Sequence, residues 1–329
     1  MQNYLVLVLV TFVLTYLIGK KCNLYDYPNA RKLHTSPVLN VGGIALVISY
    51  IISIYFFEYS FTLNQILVFS FYFSILGFVD DRININPFYR IIIQAFIAGY
   101  FLHATQLYIN KISITEDYII QLGSFSEIFT IMCILVIINA CNYFDGIDLN
   151  LTFLAIVFIV LVYLFFNILD FEKILILCFP LMIFSITNIG FYKIPKMFLG
   201  DSGSNCIGFI IACFLLTYNF EKSESFFSQH EIVWISALFV YEFLSINLSR
   251  SLKRKNIFEP GDDHLHYIIN NFVNNKFFTV LIIIFLMILV FIMGKMIFLI
   301  NSNLSFLTYL FLFFLYFFVR ERLWKIKIT

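Results

Sequence analysis

Eleven apolar runs follow one another along almost the whole chain, and they restrict the fold more than any other feature of the sequence. They cover approximately residues 3–19, 42–57, 64–79, 91–109, 128–142, 151–169, 174–190, 205–219, 230–249, 277–299 and 305–319. A helix needs about 20 apolar residues to cross a bilayer. Because 61% of the 329 residues are hydrophobic and only 12% are charged, no segment remains for a soluble module. We therefore predict an all-α, polytopic membrane protein with about 11 transmembrane helices in a single domain, residues 1–329.

The positions of the basic residues predict the orientation of these helices. No Lys or Arg precedes the first apolar run, whereas Lys20 and Lys21 follow it directly, which is the reverse of a cleaved signal peptide. In this topology seventeen of the twenty-one Lys and Arg residues lie on one side, and cytoplasmic loops carry such an excess. We predict an N-terminus outside and a cytoplasmic C-terminus. A net charge of +1 without a basic arm gives no indication of nucleic acid binding.

Acidic residues gather on the same predicted inner side. Eight of the ten aspartates lie there: Asp26, Asp80, Asp81, Asp145, Asp148, Asp201, Asp262 and Asp263. Acidic residues contribute little to membrane orientation, so the orientation rule does not explain their distribution. Carboxylates at one face of a bilayer can hold a divalent cation against phosphates. We predict that the inner loops form an active site; these loops are residues 20–41, 80–90, 143–150, 191–204 and 250–276.

The first two inner loops allow a functional and a structural interpretation. Arg31 and Lys32, ahead of a Gly pair, are typical either of phosphate binding or of a loop that only sets membrane orientation. Asp80 and Asp81 are adjacent at a predicted helix C-terminus, where acidic residues oppose the helix dipole. Two neighbouring carboxylates repel each other unless a cation or an Arg such as Arg90 offsets them, which favours function over a solvated helix end.

The third and fourth loops place polar residues beside apolar runs. Asn142, Asp145 and Asp148 recur every three residues, so on a continuous helix they would form one stripe facing a wet cavity. Hydrogen bonding between helices would explain an Asn there but not both aspartates. The stretch around Asp201, Gly-Asp-Ser-Gly-Ser, can provide a turn, backbone donors for phosphate and a metal ligand. The alternative is a contact of small residues between helices.

The fifth loop combines a basic cluster with two histidines. The cluster at Arg250 to Lys255 is typical of a loop that sets orientation or binds lipid headgroups. His264 and His266, without a Cys or a third His nearby, are a weak indication of zinc. Both are suitable donors to phosphate oxygens.

Taken in order, five stretches resemble the motifs of one enzyme family: DYPNARKLHTSPVLNVGG, GFVDDR followed by RIIIQ, NACNYFDGID, KMFLGDSGS and HLHY. They resemble the polyprenyl-phosphate N-acetylhexosamine-1-phosphate transferases, glycosyltransferase family 4, which are relatives of phospho-MurNAc-pentapeptide transferase and undecaprenyl-phosphate GlcNAc-1-phosphate transferase. The resemblance implies a multi-pass enzyme of the bacterial inner membrane whose active site faces the cytoplasm. It implies transfer of a sugar-1-phosphate from a UDP-N-acetylhexosamine to undecaprenyl phosphate, with release of UMP. Mg²⁺, or alternatively Mn²⁺, is the implied cofactor, and a homodimer remains open.

The resemblance also implies roles for individual residues. The implied catalytic residues are Asp80, Asp81 and Asp145, the implied metal ligands are Asp201 and Asp80, and the implied substrate-binding residues are Arg31, Lys32, Arg90, Asn142, Asp148, Phe198, His264 and His266. Which of Asp80 and Asp81 is the base stays open. Clustered carboxylates, a metal ion and basic donors suffice for phosphoryl transfer, which depends on positioning and charge neutralisation.

Four departures from the family pattern leave the sugar open: Leu39 replaces a Pro, Leu149 a Gly and Tyr267 a His, and Asp262-Asp263 replaces an Asp-basic pair. The HLHY stretch favours the N-acetylglucosamine-like branch that serves O-antigen, teichoic acid or capsule. The departures also leave an alternative, a catalytically inactive relative. A second alternative is a secondary transporter, because Glu242 lies inside a predicted span. Transporter sites lie near the bilayer midplane, however, and these aspartates lie at its inner boundary.

Overall fold

The computed structural model describes residues 1–28, 35–115, 118–190, 194–257 and 261–328. Within these ranges the helices are α1 Gln2–Lys21, α2 Gly42–Phe56, α3 Phe61–Ile83, α4 Pro87–Thr105, α5 Ser126–Phe144, α6 Asn150–Phe166, α7 Phe171–Ile189, α8 Gly200–Glu221, α9 Phe226–Ile235, α10 Ala237–Leu252, α11 Leu265–Val273, α12 Lys276–Ile300 and α13 Ser302–Ile328. The strands are β1 Tyr25–Asp26, β2 Val38–Asn40, β3 Lys111–Ser113, β4 Ile119–Gln121 and β5 Met197–Phe198, and a 3₁₀ turn spans Gly123–Phe125. All eleven apolar runs are helical, which confirms a predominantly α-helical fold.

The lengths and apolar character of the helices confirm a multi-pass membrane protein. In the part of the chain that the structure describes, seven helices are long and apolar enough to cross a membrane: α1, α3, α5, α7, α8, α12 and α13. The pair α9 and α10 is bent by 61° and forms an eighth such segment if it is taken as one span. The apolar helices α2 and α6 are shorter, with 15 and 17 residues. The number of 11 crossings and the orientation therefore stay predictions.

A small sheet and one helix that the sequence did not indicate lie in the predicted inner loops. Strand β2 pairs antiparallel with β1 and parallel with β5, where Asn40 lies opposite Phe198. The sheet thereby joins the first inner loop to the fourth. Helix α11 lies in the fifth loop and buries Leu265, His266 and Ile268. Two- and three-residue strands are too short to show an alternating pattern in a sequence.

Helix α8 is the centre of the bundle, and close backbone contacts fix its first turn. In the most apolar 18-residue segment of α8, 89% of the residues are buried inside the protein. Helices α2, α3, α5 and α6 pack around α8. A Cβ on Gly77 of α3 would lie 2.1 Å from the carbonyl oxygen of Asp201, and one on Gly43 of α2 would lie 2.2 Å from the backbone nitrogen of Gly203. Only glycine allows this approach. The first turn of α8 is therefore held by two neighbouring helix backbones.

This packing predicts opposite effects for two Gly→Ala substitutions in helices. Gly77→Ala should lower the free energy of unfolding by about 1–3 kcal/mol or more, because the added carbon meets backbone atoms that cannot rotate away. Gly99→Ala on α4 is the control, since its added carbon would lie 3.6 Å from Ile131, an ordinary contact. That control should be neutral or stabilise by roughly 0.5–1 kcal/mol. Thermal unfolding of both variants in the same detergent measures the difference between their stabilities. Equal losses of stability would contradict the close contact between Gly77 and the backbone of α8.

Candidate active site

The predicted inner loops converge on one open cavity of about 1480 Å³. The predicted site residues that line it are Asp80, Asp81, Arg90, Asn142, Asp145, Asp201, His264 and His266. They come from the ends of α3, α5 and α8, from the first turn of α4 and from the start of α11. The predicted residues Arg31 and Lys32 lie outside the residues that the structure describes. The resemblance thus selected residues that are far apart in sequence and close in space.

Asp80 and Arg90 form a nearly buried ion pair between α3 and α4. Asp80 is 6% exposed; its Oδ1 accepts a hydrogen bond from the backbone N–H of Ile85 at 2.7 Å, and its Oδ2 accepts one from Nη1 of Arg90 at 2.8 Å. The same Nη1 lies 3.6 Å from Oδ2 of Asp201. The guanidinium offsets the unfavourable position of Asp80 at the C-terminus of α3. Both carboxylate oxygens of Asp80 are therefore already hydrogen-bonded.

Asp81 lies at the N-terminus of α8, where the helix dipole favours a negative charge. Its Oδ2 accepts a hydrogen bond from the backbone N–H of Asp201 at 3.1 Å. Gly200 has a φ of +69°, and a Cβ there would lie 2.2 Å from Oδ1 of Asn40 and 2.6 Å from Oδ2 of Asp81. The left-handed backbone and the lack of a side chain at this position allow Asp81 to reach the helix end.

Asn142 and Asp145 place the end of α5 beside the same carboxylates. Nδ2 of Asn142 donates to Oδ1 of Asp201 at 2.6 Å and to Oγ of Ser204 at 3.2 Å. Asp145 follows directly after α5. Burial, and then the negative charges of Asp201 and Asp81, raise the pKa of Asp145 well above its usual range. Within the described residues no ion pair forms on Asp145, so a negative charge there lacks a protein counter-charge.

The two histidines form an aromatic wall of the cavity. Their rings are almost parallel, with an interplanar angle of 4° and centroids 5.7 Å apart. His264 lies 4.8 Å from the ring of Tyr143, and the fully buried His266 lies 4.1 Å from the ring of Tyr267. A Cβ on Gly146 would lie 1.9 Å from Nε2 of His266. The third and fifth inner loops are thus in direct contact.

Two of the predicted residues, Asp148 and Phe198, do not line the cavity. Oδ2 of Asp148 accepts hydrogen bonds from the Nζ atoms of Lys196 and Lys276, each at 2.8 Å. Nζ of Lys196 lies 5.3 Å from the centre of the Phe198 ring. These contacts connect the third and fourth loops to α12. Sequence reasoning had treated both lysines only as indicators of orientation.

Two of the family departures meet in one apolar cluster. Leu149 has a φ of +70°, a backbone conformation that glycine adopts without strain and leucine rarely adopts. Its backbone N–H donates to Oδ1 of Asn188 at 2.7 Å, and its side chain packs in a cluster with Ile147 and Val280. Tyr267 packs against that cluster. Leu149 and Tyr267 therefore contribute to the same patch beside the cavity.

Sequence reasoning missed the apolar wall of the cavity. Ile91 of α4 and Met132, Leu135 and Val136 of α5 line it. No signal could have found them, because apolar residues in a spanning helix look alike in sequence whether they face lipid, protein or a cavity. Asn40 and Tyr143 also line the cavity, and both lie within the family-like stretches.

No three His, Cys, Asp or Glu side chains among the described residues are grouped closely enough to hold a metal ion by themselves. The guanidinium of Arg90 lies between Asp80 and Asp201 instead. The cavity thus offers hard oxygen ligands from several elements, the guanidinium groups of Arg90 and Arg250, and an aromatic wall.

Comparison with known proteins agrees with the set of residues that line this cavity. The family model described as Glycosyl transferase family 4 matches residues 63–219. The chain is 30% identical over 321 residues to the undecaprenyl-phosphate alpha-N-acetylglucosaminyl 1-phosphate transferase of Pasteurella multocida (strain Pm70), over 94% of this chain and 89% of that protein. For the proteins of the same name from Escherichia coli (strain K12) and Salmonella typhi the identities are 29% and 27%, each over 77% of this chain and 70% of the relative. With similarity along nearly its full length and the motif residues gathered in one cavity, the chain belongs to glycosyl transferase family 4.

Proposed function

We propose that this protein transfers the 1-phosphate of N-acetylglucosamine, or of a related N-acetylhexosamine, from its UDP derivative to undecaprenyl phosphate and releases UMP. The reaction would initiate a cell-envelope glycan at the cytoplasmic face of the bacterial inner membrane. One observation carries the proposal: six aspartates, among them Asp80, Asp81, Asp145 and Asp201, and two histidines line a single cavity that also has an apolar wall. The names of the relatives support both the lipid acceptor and the N-acetylglucosamine donor.

The cavity has one region suited to each substrate. The carboxylates, Asn142 and the histidines offer hydrogen bonds and charges for the diphosphate and the sugar of a water-soluble donor. The apolar wall between α4 and α5 is suited to the isoprenoid chain of the acceptor. Met132 on this wall is 59% exposed on the surface of the bundle, so the cavity opens towards the lipid between these two helices. The acceptor phosphate then meets the donor diphosphate at the polar end.

The reaction exchanges one phosphoanhydride for another. An oxygen of the acceptor phosphate attacks the β-phosphorus of the UDP-sugar, and the bond between that phosphorus and the UMP oxygen breaks. Catalysis of such a transfer rests on alignment and on neutralising charge at the transferred group. Arg90 provides a fixed positive charge at the carboxylates, and the histidine rings provide further donors in the same cavity. Asp80 orients Arg90, and the candidates to take a proton from the acceptor are Asp80, Asp81 and Asp145.

The donor set fits Mg²⁺, or alternatively Mn²⁺. Mg²⁺ is commonly held by one or two carboxylates and completes its ligand shell with water and substrate phosphates. Asp201, together with Asp81 or Asp80, would hold it, because their carboxylates lie around the first turn of α8 with oxygen atoms as donors. When bound, the metal would supply positive charge to the diphosphate.

The described part of the structure offers no observation that favours a secondary transporter or a catalytically inactive relative. Glu242, which motivated the transporter hypothesis, is fully buried and accepts hydrogen bonds from Leu265 and Tyr316. A carboxylate that is held in this way is part of the framework rather than of a transport path. Leu149 and Tyr267, which motivated the hypothesis of an inactive relative, pack together in an apolar cluster and leave the aspartates in place.

The first prediction concerns the aspartate at the start of α8. Purified protein with undecaprenyl phosphate, a UDP-N-acetylhexosamine and Mg²⁺ should release UMP, and a chelator should abolish the release. Asp201→Asn should lower kcat by about 100-fold or more, the loss expected when a group that stabilises transition-state charge is removed. Asp170→Asn is the matched control, because Asp170 caps α7 beside Lys173 and does not line the cavity.

The control variant Asp170→Asn should keep the activity of the unchanged protein, since Asn also caps helices well. The donors to compare are UDP-GlcNAc, UDP-GalNAc and their 6-deoxy analogues. The absence of UMP with every one of them would refute the proposed function.

The second prediction concerns the apolar wall. Leu135→Trp should raise the KM for undecaprenyl phosphate by about tenfold, a loss of roughly 1.4 kcal/mol, because the larger ring narrows the space between α4 and α5. The KM for the UDP-sugar should stay unchanged. Ile128→Trp on the same helix is the control, since Ile128 is 59% exposed and does not line the cavity. If Leu135→Trp raised the KM for the UDP-sugar instead, or if both variants changed the KM for undecaprenyl phosphate equally, the lipid chain would not bind along this apolar wall.

A further inference from the structure

A buried charge network connects the C-terminal helix to the histidines of the cavity. Glu242 on α10 is fully buried. Its Oε1 accepts a hydrogen bond from the backbone N–H of Leu265, the first residue of α11, at 2.7 Å, and lies 3.7 Å from Nδ1 of His264. Its Oε2 accepts a hydrogen bond from the hydroxyl of Tyr316 at 2.5 Å. One carboxylate thus holds α13 and the N-terminus of α11.

Arg320 on α13 completes the connection from the other side. It is 1% exposed, and its Nη2 donates to the backbone oxygen of Asp263 at 2.6 Å. Its Nε lies 3.7 Å from Oε2 of Glu242. The side chain of Asp263 in turn accepts two hydrogen bonds from Arg250, at 2.8 and 3.2 Å. Three successive residues, 263 to 265, are therefore each bound by a charged side chain from α10 or α13.

The charges of this network balance. Glu242, Asp263 and Glu321 are the carboxylates, and Arg250, Lys253 and Arg320 are the cations, with Lys253 bound to Glu321 at 2.6 Å. Burial alone would raise the pKa of Asp263, but the hydrogen bonds and charge of Arg250 hold it at about 2. Buried charges without partners are strongly unfavourable, so a balanced network resists rearrangement.

Of the network carboxylates and Arg320, none lines the cavity, but two histidines of the segment that they hold do. His264, whose Nδ1 faces Glu242, lines the cavity beside Tyr143, and His266 lines it against Gly146. Oε1 of Glu242 makes an electrostatic contact with Nδ1 of His264 rather than a hydrogen bond, which orients this side of the ring towards the carboxylate and leaves Nε2 for a ligand. Glu242 therefore acts on the cavity through these histidines.

We infer that Glu242, paired with Arg320, is a positioning residue for the transfer reaction, which holds His264 and His266 in place for the diphosphate of the sugar donor. This inference rests on the proposed function. It gives the glutamate within a predicted span a role in donor binding and ties the C-terminal helix α13 to catalysis. The acceptor site between α4 and α5 lies away from the network, so donor and acceptor kinetics should respond differently.

The matched variants are Glu242→Gln and Glu231→Gln. Glu231 on α9 also accepts a hydrogen bond from a tyrosine hydroxyl, that of Tyr218, and also pairs with a cation, Lys295, at 2.8 Å, but it does not contact residues 263–267. Glu242→Gln should raise the KM for the UDP-sugar and lower kcat/KM for it by about tenfold or more. The KM for undecaprenyl phosphate should stay within about twofold, and Glu231→Gln should change neither KM.

Hydrogen–deuterium exchange provides a readout that does not depend on activity. The amides in the first turn of α11 should exchange about tenfold faster in Glu242→Gln than in the unchanged protein and in Glu231→Gln. If the unchanged protein released no UMP with any donor, the proposed function would fail, while the exchange rates would still decide whether Glu242 holds this segment. Equal exchange in the two variants would overturn the inference.

A double variant separates positioning from stability. Glu242→Gln leaves the buried network with one positive charge in excess, so it should lower the melting temperature. Adding Arg320→Met removes that charge, while Asp263 and Glu321 keep Arg250 and Lys253 as partners, and most of the lost stability should return. The raised KM for the UDP-sugar should persist in the double variant. Recovery of kcat/KM together with stability would show that the pair only stabilises the fold.

Discussion

The first turn of α8, held between the backbones of α2 and α3, is the constraint on which the candidate site depends. Gly77 and Gly43 allow contacts that no larger residue could make. As a result, Asp81 reaches the N-terminus of α8 and Asp201 starts the same helix beside Asn142 and Arg90. Helix dipole, hydrogen bonds and one guanidinium together stabilise carboxylates that would otherwise repel each other. The position of the charges follows from the close packing, because a wider helix separation would move Asp201 away from Asp81.

Around this constraint the cavity combines two environments that few soluble sites combine. Its carboxylates and histidines lie at the ends of helices, and its apolar wall is formed by α4 and by α5, which is long and apolar enough to cross a membrane. A reaction between a nucleotide sugar and a lipid phosphate needs such a boundary, because neither substrate can leave its own solvent completely. The buried network of Glu242 and Arg320 supports this cavity through the segment that carries its histidines. It keeps the aromatic wall in place from inside the protein, where no substrate competes for its charges.

The sequence was sufficient to predict a helical membrane fold and eight of the polar residues that line the cavity. Asp80, Asp145 and Asp201 were recognisable because charged residues beside long apolar runs are rare unless they have a function. The Glu242–Arg320 contact could not be predicted, since it joins helices that are far apart in the chain, and neither a glutamate inside a predicted span nor an arginine at a span boundary indicates its partner. The strained backbone of Leu149 could not be predicted either. The replacement of a family glycine by Leu149 indicated only that the position is unusual, not which backbone conformation it has. Asp148 and Phe198 matched family motifs, but the structure places them beside the cavity rather than in it.

The central claim is that a phosphorus atom moves with the sugar. Incubation of the protein and undecaprenyl phosphate with UDP-N-acetylglucosamine that carries a radioactive label on the β-phosphorus tests it directly. A sugar-1-phosphate transferase should place the label in the lipid product and release unlabelled UMP. Label that stays in released UDP while the sugar alone reaches the lipid would contradict the account, and so would a lipid fraction that gains neither label nor sugar.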